Sequence, residues 1–157
     1  MGAISDLPVV PDGACPSNGK GDVAGIGVFF GDDDPRNVSR RFVPYSDMRA
    51  TNQTAELSAA VEALKICLKQ PDVKHILLHT DSMYTINCAT RWIKRWKENG
   101  WKTANGKPVK NTALIKELWK LAFDNDKDVD VQFIHVRGHS GIYENEQADK
   151  LATAACK

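Results

Sequence analysis

The 157-residue chain has no apolar run of the roughly 18 residues that a membrane-spanning helix requires. Its first residues have neither the basic start nor the long apolar stretch of a secretion signal. Its four cysteines include no CxxC pair, and the chain contains no internal repeat. These absences argue against a membrane protein and a disulfide framework. They favour an intracellular protein with reduced thiols, whose compartment (nucleus, mitochondrion or cytoplasm) the sequence does not specify.

The chain also has little net charge, +1 at pH 7, because 21 Lys and Arg residues face 20 Asp and Glu residues. A content of 42% hydrophobic and 26% charged residues is typical of a globular domain rather than of a disordered chain. The length predicts one domain over residues 1–157, with residues 1–6 disordered or vector-derived. We expect this domain to be a monomer that does not associate with membranes.

The charges that are present are unevenly distributed along the chain. Residues 91–110 contain seven Lys and Arg residues against a single acid, Glu98. Such a block is typical of a nucleic-acid-binding surface, and the alternative is an exposed helix that the charges merely keep soluble.

Hydrophobic periods of two and of 3.6 residues alternate along the chain, which predicts a mixed α/β fold. A meander of three strands comes first, and an amphipathic helix follows, for which Thr51 and Asn52 are plausible caps. Five strands are predicted. The first ends at Asp12, and the others span 23–30, 37–45, 74–81 and 129–135, the last at or near a sheet edge. Five helices are predicted. Four span 54–70, 82–88, 90–98 and 144–155, and one begins at Asn111.

Four acids occupy positions from which they could meet. Asp81 directly follows a buried strand, where open α/β sheets present ligands, and Asp12 ends the first strand. Glu56 and Asp149 lie beside the apolar faces of two helices. Asp81 alone is equally well explained as a helix cap, and Glu56 as a first-turn acid that the helix dipole favours.

Carboxylates that meet raise each other's pKa and lower stability unless a cation neutralises them. Hard oxygen ligands, without the spacing of Cys and His ligands, favour Mg²⁺ or Mn²⁺ over zinc. Spacing alone does not show that the four acids converge.

Five short motifs, taken in order, resemble those of type 1 ribonuclease H. They are Asp12-Gly13-Ala14-Cys15, Thr51-Asn52-Gln53-Thr54-Ala55-Glu56, Thr80-Asp81-Ser82-Met83-Tyr84, Gly138-His139-Ser140-Gly141 and Asn145-Glu146-Gln147-Ala148-Asp149. The similarity runs from about residue 7 to the C-terminus, and residues 92–103 resemble the basic protrusion of eukaryotic-like members.

The resemblance implies an α/β fold with a five-stranded mixed sheet, three strands antiparallel and two parallel, flanked by helices. It also implies an endoribonuclease that hydrolyses the RNA strand of RNA–DNA hybrids without base-sequence preference. The products it implies have 5′-phosphate and 3′-hydroxyl ends.

By the same resemblance, the four acids Asp12, Glu56, Asp81 and Asp149 would hold two Mg²⁺ ions, with Mn²⁺ as a substitute. His139 would assist proton transfer or product departure, whereas a His between glycines would otherwise be read as a solvated loop residue. The implied substrate-binding residues are Cys15 (through its backbone), Ser17, Asn18, Asn52 and Gln53 for the RNA strand, Arg49, Thr51, Tyr84, Trp92 and Asn111 for the DNA strand, and Lys94, Arg95, Lys97 and Lys102 in the basic protrusion. Trp96 and Trp101 either pack the protrusion or touch substrate.

The first strand departs from the family pattern. Val10-Pro11 precede Asp12 where the family usually has an aromatic residue and a threonine, and Pro8 is a second proline in this strand. Proline removes a donor from the hydrogen-bond ladder and is normally confined to edge strands or bulges. For a strand that should be central, we therefore predict local distortion or shortening, with consequences for the position of Asp12.

Three alternatives remain open from the sequence. The first is a nuclease of the same superfamily with another substrate, such as a junction resolvase or a domain of a reverse transcriptase; the protrusion and Asn18, Asn52 and Gln53 argue against it. The second is a non-catalytic hybrid-binding module, which would not need all four acids. The third is a structural α/β domain with incidental acids, which should show no salt-sensitive affinity for nucleic acid.

Overall fold

The computed structural model of the chain describes residues 6–16, 23–42, 49–138 and 141–157. Within these residues, five strands form one sheet and five α-helices flank it. The strands are β1 (Asp6–Ala14), β2 (Gly25–Phe29), β3 (Val38–Arg41), β4 (His75–Thr80) and β5 (Asp130–His135). The helices are α1 (Asn52–Leu68), α2 (Met83–Asn87), α3 (Ile93–Asn99), α4 (Thr112–Phe123) and α5 (Tyr143–Ala154).

The order of strands across the sheet is β3-β2-β1-β4-β5. β2 is antiparallel to both β1 and β3, whereas β4 runs parallel to β1 and β5 parallel to β4. This arrangement confirms the predicted fold class, with β1 central and β5 at an edge.

Residues of β1 alternate between the two faces of the sheet, as strand geometry requires. Val9 belongs to the main core cluster, together with Leu57 of α1 and Leu118 of α4. Val10 points to the other face, where it packs with Ala148 of α5. The sheet is therefore covered by α1 and α4 on one face and by α5 on the other, and apolar burial on both faces holds the layers together.

Thr51 caps α1 through a reciprocal pair of hydrogen bonds. Its Oγ1 accepts from the Thr54 backbone N–H at 3.0 Å, and the Thr54 Oγ1 accepts from the Thr51 backbone N–H at 2.8 Å. These bonds satisfy two backbone amide groups at the N-terminus of the helix. Thr51 is therefore the N-cap, and Asn52 is the first helical residue.

Asn111 is the residue before α4, as predicted, but its side chain does not cap the helix. Its backbone is left-handed, with φ 63°. Its side-chain Nδ2 instead donates to the Tyr84 hydroxyl at 3.1 Å, so Asn111 connects two elements rather than satisfying the end of its own helix.

The two helices predicted at 82–88 and 90–98 are one continuous helical segment. A π-helical turn, Cys88–Trp92, joins α2 to α3. The segment ends at Gly100, whose φ of 77° suits glycine. Ring centroids of Trp92 and Trp96, and of Trp96 and Trp101, are each 5.9 Å apart, so these aromatic rings pack the basic segment internally.

The prolines of β1 do not shorten the strand, so the prediction of shortening is wrong, whereas the predicted local distortion is present as a break in both hydrogen-bond ladders. β1 has nine residues, more than any other described strand. Residues 6–9 pair with β4 and residues 10–14 pair with β2, so each residue has a partner on one side only. Pro8 precedes this change of partner strand and Pro11 follows it. The nitrogen of a proline, which carries no hydrogen, can therefore face the side on which β1 has no hydrogen-bonded neighbour.

The described residues also correct the expected boundary at the N-terminus. Asp6, expected to be part of a disordered or vector-derived segment, is the first residue of β1 and pairs with His75. Residues 1–5 lie outside the described part of the chain, as does 43–48, which includes the end of the predicted third strand. No helix in the described ranges is both long and apolar enough to span a bilayer.

Two glycines allow helices to approach the sheet closely. A Cβ on Gly13 would lie 2.4 Å from the backbone carbon of Ala55 and from the backbone nitrogen of Glu56. A Cβ on Gly27 would lie 2.5 Å from the carbonyl oxygen of Ala148 on α5. Because these neighbours are backbone atoms, the helices could not keep their present distance from the sheet if either glycine carried a side chain.

We expect Gly27→Ala to destabilise the protein by about 2–4 kcal/mol, because α5 must move away from β2. The measurement is urea unfolding. Gly31→Ala is the matched control, since a Cβ there meets nothing within 4 Å. Equal stability of the two variants would contradict the close-packing argument.

Candidate active site

The described fold brings the four predicted acids to one end of the sheet. Val9 pairs with Leu78 in the parallel ladder, so three residues further along both strands Asp12 is level with Asp81. Glu56 lies in the first turns of α1, at the close approach to Gly13. Asp149 lies on α5, the helix that covers Gly27.

One carboxylate oxygen from each of Asp12, Glu56 and Asp81 lies within 4.8 Å of the other two. Asp149 is close enough to share a side-chain hydrogen bond with Asp12. All four acids line a pocket of about 510 Å³, and the other residues that line it are Gly13, Asn52, Asn145 and Glu146. This convergence, which spacing alone could not establish, argues against a domain with incidental acids.

The crowding raises the pKa of the acids that are most deeply placed. The pKa of Asp12 rises from 3.8 to about 8, mainly because the carboxyl is buried and then because of the charges of Asp81, Asp149 and Glu56. Burial likewise raises the pKa of Glu56; a hydrogen bond from Ser82 opposes this rise and the charge of Asp81 adds to it. The pocket therefore disfavours negative charge unless a cation is present.

The donor set fits a hard divalent cation. Within the described ranges, Asp12, Glu56 and Asp81 form the only group of three or more acidic, His or Cys side chains whose ligand atoms converge in this way. All of these ligand atoms are carboxylate oxygens, which suit Mg²⁺ or Mn²⁺. A bound cation would also relieve the repulsion that raises the pKa of Asp12.

Asn145 is a site residue to which the sequence analysis assigned no role. It is buried, and its Nδ2 donates to Asp81 Oδ2 at 3.3 Å. The signal for it was present, because Asn145 precedes Asp149 by four residues on α5 and such residues share a helix face. Gly138 also lies against this acid, since a Cβ there would be 3.0 Å from Asp81 Oδ2. His139 and Ser140 lie outside the described residues.

The structure brings together two of the residues expected to contact an RNA strand. Asn52 Oδ1 accepts from the Cys15 backbone N–H at 3.1 Å, so this N–H already has a partner. The Cys15 thiol is buried and donates to the Ala50 carbonyl oxygen at 3.2 Å. Gln53 is exposed beside Asn52, and Ser17 and Asn18 lie outside the described residues.

Three of the residues expected to contact a DNA strand also form one group. The Tyr84 hydroxyl accepts from Asn111 Nδ2, and the Tyr84 and Trp92 rings make an edge contact with centroids 6.0 Å apart. Burial raises the pKa of Tyr84 to about 12, so this hydroxyl stays protonated. Arg49 and Thr51 lie instead at the start of α1.

The basic protrusion, residues 92–103, does not present all of its cations alike. Lys94, Arg95, Lys97 and Lys102 are all exposed residues. The Lys97 ammonium lies 3.1 Å from the centroid of the Trp119 ring, so this side chain packs back onto α4.

Known proteins match the chain along nearly its whole length. The profile of the RNase H family matches residues 5–157. Human Ribonuclease H1 is 43% identical over 156 residues, which cover 98% of this chain and 51% of the human protein. Ribonuclease H of Novosphingobium aromaticivorans is 39% identical over 153 residues, with 97% of both chains covered.

Solved structures agree with these sequence matches. LC9-RNase H1, described as a type 1 RNase H with the type 2 active-site motif, superposes with a TM-score of 0.72 at 26% identity. The match covers 99% of this chain and 74% of that one.

Fold and pocket together define a domain with a mixed five-stranded sheet and a carboxylate centre at the end of its parallel strands. With the family match over residues 5–157, the chain belongs to the RNase H family of nucleases. The chain spans about half the length of its mouse and human relatives.

The raised pKa of Asp12 predicts how stability depends on pH in the absence of divalent cations. The folded protein keeps the Asp12 proton up to about pH 8, whereas the unfolded chain loses it near 3.8. Unfolding between these values releases a proton, so the free energy of unfolding falls as pH rises through this window.

We therefore expect Asp12→Asn to stabilise the metal-free protein at pH 8 by on the order of 2 kcal/mol, with the gain shrinking toward pH 4. Urea unfolding in EDTA across this range measures the gain. Asp126→Asn, which removes an exposed acid, is the control and should show no such trend. A gain for Asp12→Asn that does not vary with pH would rule out the raised pKa of Asp12 as its cause.

Proposed function

We propose that residues 1–157 form one catalytic domain, active as a monomer, that hydrolyses the RNA strand of RNA–DNA hybrids. The cleavage has no base-sequence preference and leaves 5′-phosphate and 3′-hydroxyl ends. The observation that carries the proposal is the convergence of carboxylates from four separate elements, within a chain that is 43% identical to human Ribonuclease H1.

Two Mg²⁺ ions are the proposed cofactors, with Mn²⁺ as a substitute, held by Asp12, Glu56, Asp81 and Asp149. When bound, such ions supply an activated water on one side of the phosphodiester and stabilise the departing 3′-oxygen on the other. Because all four ligands are carboxylates on rigid elements, the chain itself contributes position and charge neutralisation more than covalent chemistry.

The side chains around the acids have positioning roles in this proposal. Asn145 fixes Asp81 by donating to its Oδ2, and Ser82 similarly donates to Glu56. His139 is one residue after Gly138, which touches Asp81, and we assign to it proton transfer or product departure.

Substrate recognition must distinguish RNA from DNA, and the 2′-hydroxyl is the group that differs. On the RNA side we propose that Asn52 and Gln53, with the Cys15 backbone, Ser17 and Asn18, lie along the minor groove. Since the Cys15 N–H already donates to Asn52, we assign the contact with a hydroxyl donor to the Cys15 carbonyl oxygen.

On the DNA side the aromatic group of Tyr84 and Trp92 would pack against sugars, where a 2′-hydroxyl would clash. Asn111 donates a hydrogen bond to the Tyr84 hydroxyl. We propose that Asn111, together with Arg49 and Thr51, contacts a DNA phosphate, so the aromatic group and the phosphate contact are connected.

We expect Asp81→Asn to lower hybrid cleavage by roughly a hundredfold or more, while hybrid binding largely survives, because the change removes charge without removing volume. The assay uses a labelled RNA–DNA hybrid with Mg²⁺, with and without EDTA. Asp126→Asn serves as the matched Asp-to-Asn control. Full activity of Asp81→Asn, or cleavage that persists in EDTA, would refute the proposed metal-dependent site.

A panel of substrates separates this proposal from a nuclease of the same superfamily with another specificity. The hybrid should be cut, and double-stranded RNA and duplex DNA should not. Preferential cleavage of either duplex would assign the site to a different substrate.

Salt dependence tests the basic protrusion. Replacing Lys94 and Arg95 by Ala should weaken hybrid binding and reduce the slope of log affinity against log salt by about 2, because each exposed cation releases counterions on binding a phosphate. Lys97→Ala should reduce the slope by less than the roughly 1 expected for one phosphate-contacting cation, since its ammonium lies on Trp119. A larger slope change for Lys97→Ala would mean that Lys97 leaves Trp119 to contact substrate.

A further inference from the structure

A second cavity, of about 470 Å³, lies on the face of the sheet that α5 covers, beside the carboxylate pocket. Its walls are mainly apolar and include Val10, Phe29, Phe30, Val136, Ile142 and Tyr143. We call this cavity the aromatic pocket. Its volume is within the roughly 300–1,000 Å³ of pockets that bind small molecules, and no role in the proposed hydrolysis uses it.

The polar groups of the aromatic pocket are mostly hydrogen-bond acceptors. Asp32 and Glu144 contribute carboxylates, and the Tyr143 hydroxyl is already engaged, because it donates to Asp32 Oδ1 at 2.5 Å. His79 Nδ1 contacts the Leu77 carbonyl oxygen at 3.2 Å, which in the neutral ring leaves Nε2 as an acceptor. No Lys or Arg side chain from the described residues lines this pocket.

Asn145 adds a buried acceptor in the wall that the two pockets share. It lines both cavities and is only 5% exposed. Its Nδ2 is used by Asp81, whereas its Oδ1 has no hydrogen-bond partner in the described part of the chain. A buried oxygen without a partner lowers stability. Because less than 1 Å² of this oxygen is accessible, it belongs to the wall and is not a contact for a ligand in the aromatic pocket.

The field at the mouth of the pocket is negative. The pKa of Tyr143 is raised, first by its hydrogen bond to Asp32 and further by the charges of Asp32, Glu144 and Asp33. The same aromatic cluster already accommodates a cation, because the Arg36 guanidinium lies 4.5 Å from the centroid of the Phe30 ring. That guanidinium is itself paired with Asp34 at 2.8 Å, so it does not cancel the acids at the mouth.

We propose that the aromatic pocket binds a small organic cation, consisting of a protonated amine on an aromatic body. Aromatic and aliphatic walls bury the apolar body, and the carboxylates of Asp32 and Glu144 face the ammonium group. An anion of the same shape would meet like charge, and a neutral molecule would lose the charge-assisted contact.

The test compares three probes of similar shape: tryptamine as the cation, skatole as the neutral analogue and indolepropionate as the anion. Amide NMR spectra of the intact chain, recorded in Mg²⁺, report both affinity and location. We expect saturable shifts at Phe29, Phe30 and Tyr143, with tryptamine binding roughly three- to tenfold tighter than skatole and indolepropionate weakest.

The matched variants remove two charges each. Asp32→Asn with Glu144→Gln should bring the affinity for tryptamine down to that for skatole. Asp126→Asn with Asp128→Asn removes the same charge from exposed positions before β5 and should leave the preference intact.

Absence of saturable binding, equal affinity for the anion, or tryptamine shifts centred on Glu56 and Asp81 would each overturn the proposal. None of these outcomes depends on nuclease activity, so failure here is distinguishable from failure of the proposed function.

Discussion

Repulsion between carboxylates that the fold forces into one pocket is the constraint on which the rest of the structure depends. Asp12 lies among three other acids, and burial first, then the charges of those acids, raise its pKa to about 8. Apolar packing on both faces of the sheet supplies the free energy that holds these acids together. The carboxylates thus make the protein less stable than its packing alone would, which is typical of sites that bind a cation.

Three glycines set how closely the acids approach one another. Gly13 admits the start of α1 and so places Glu56 beside β1; Gly27 admits α5, which carries Asp149; and Gly138 lies against Asp81. In each case the absence of a side chain, rather than a contact, determines the geometry. A methyl group at any of these positions would meet backbone atoms or a carboxylate. Carboxylate spacing therefore depends on how closely the backbone packs around the acids, and not on their side chains alone.

Charge is separated on the molecular surface although the net charge is only +1. Five acids line the carboxylate pocket and two line the aromatic pocket, whereas residues 91–110 hold seven Lys and Arg residues against one acid. Packed tryptophan rings, with Lys97 lying on Trp119, hold the protrusion as a unit. Asn145 lines both pockets and donates a hydrogen bond to Asp81. A ligand in the aromatic pocket would therefore lie beside a side chain that positions one of the acids.

The sequence by itself determined the order of strands and helices, the family and the identity of the four acids, because hydrophobic period and short motifs are local properties of the chain. It did not determine that β1 changes partner between Val9 and Val10, which accommodates its prolines, or that a π turn makes two predicted helices continuous. Nor did it reveal the bond from Asn145 to Asp81 or the high pKa of Asp12. The π turn is local but leaves no mark in the hydrophobic period. The other features arise from residues far apart in sequence, and only the packed sheet and helices decide their distances.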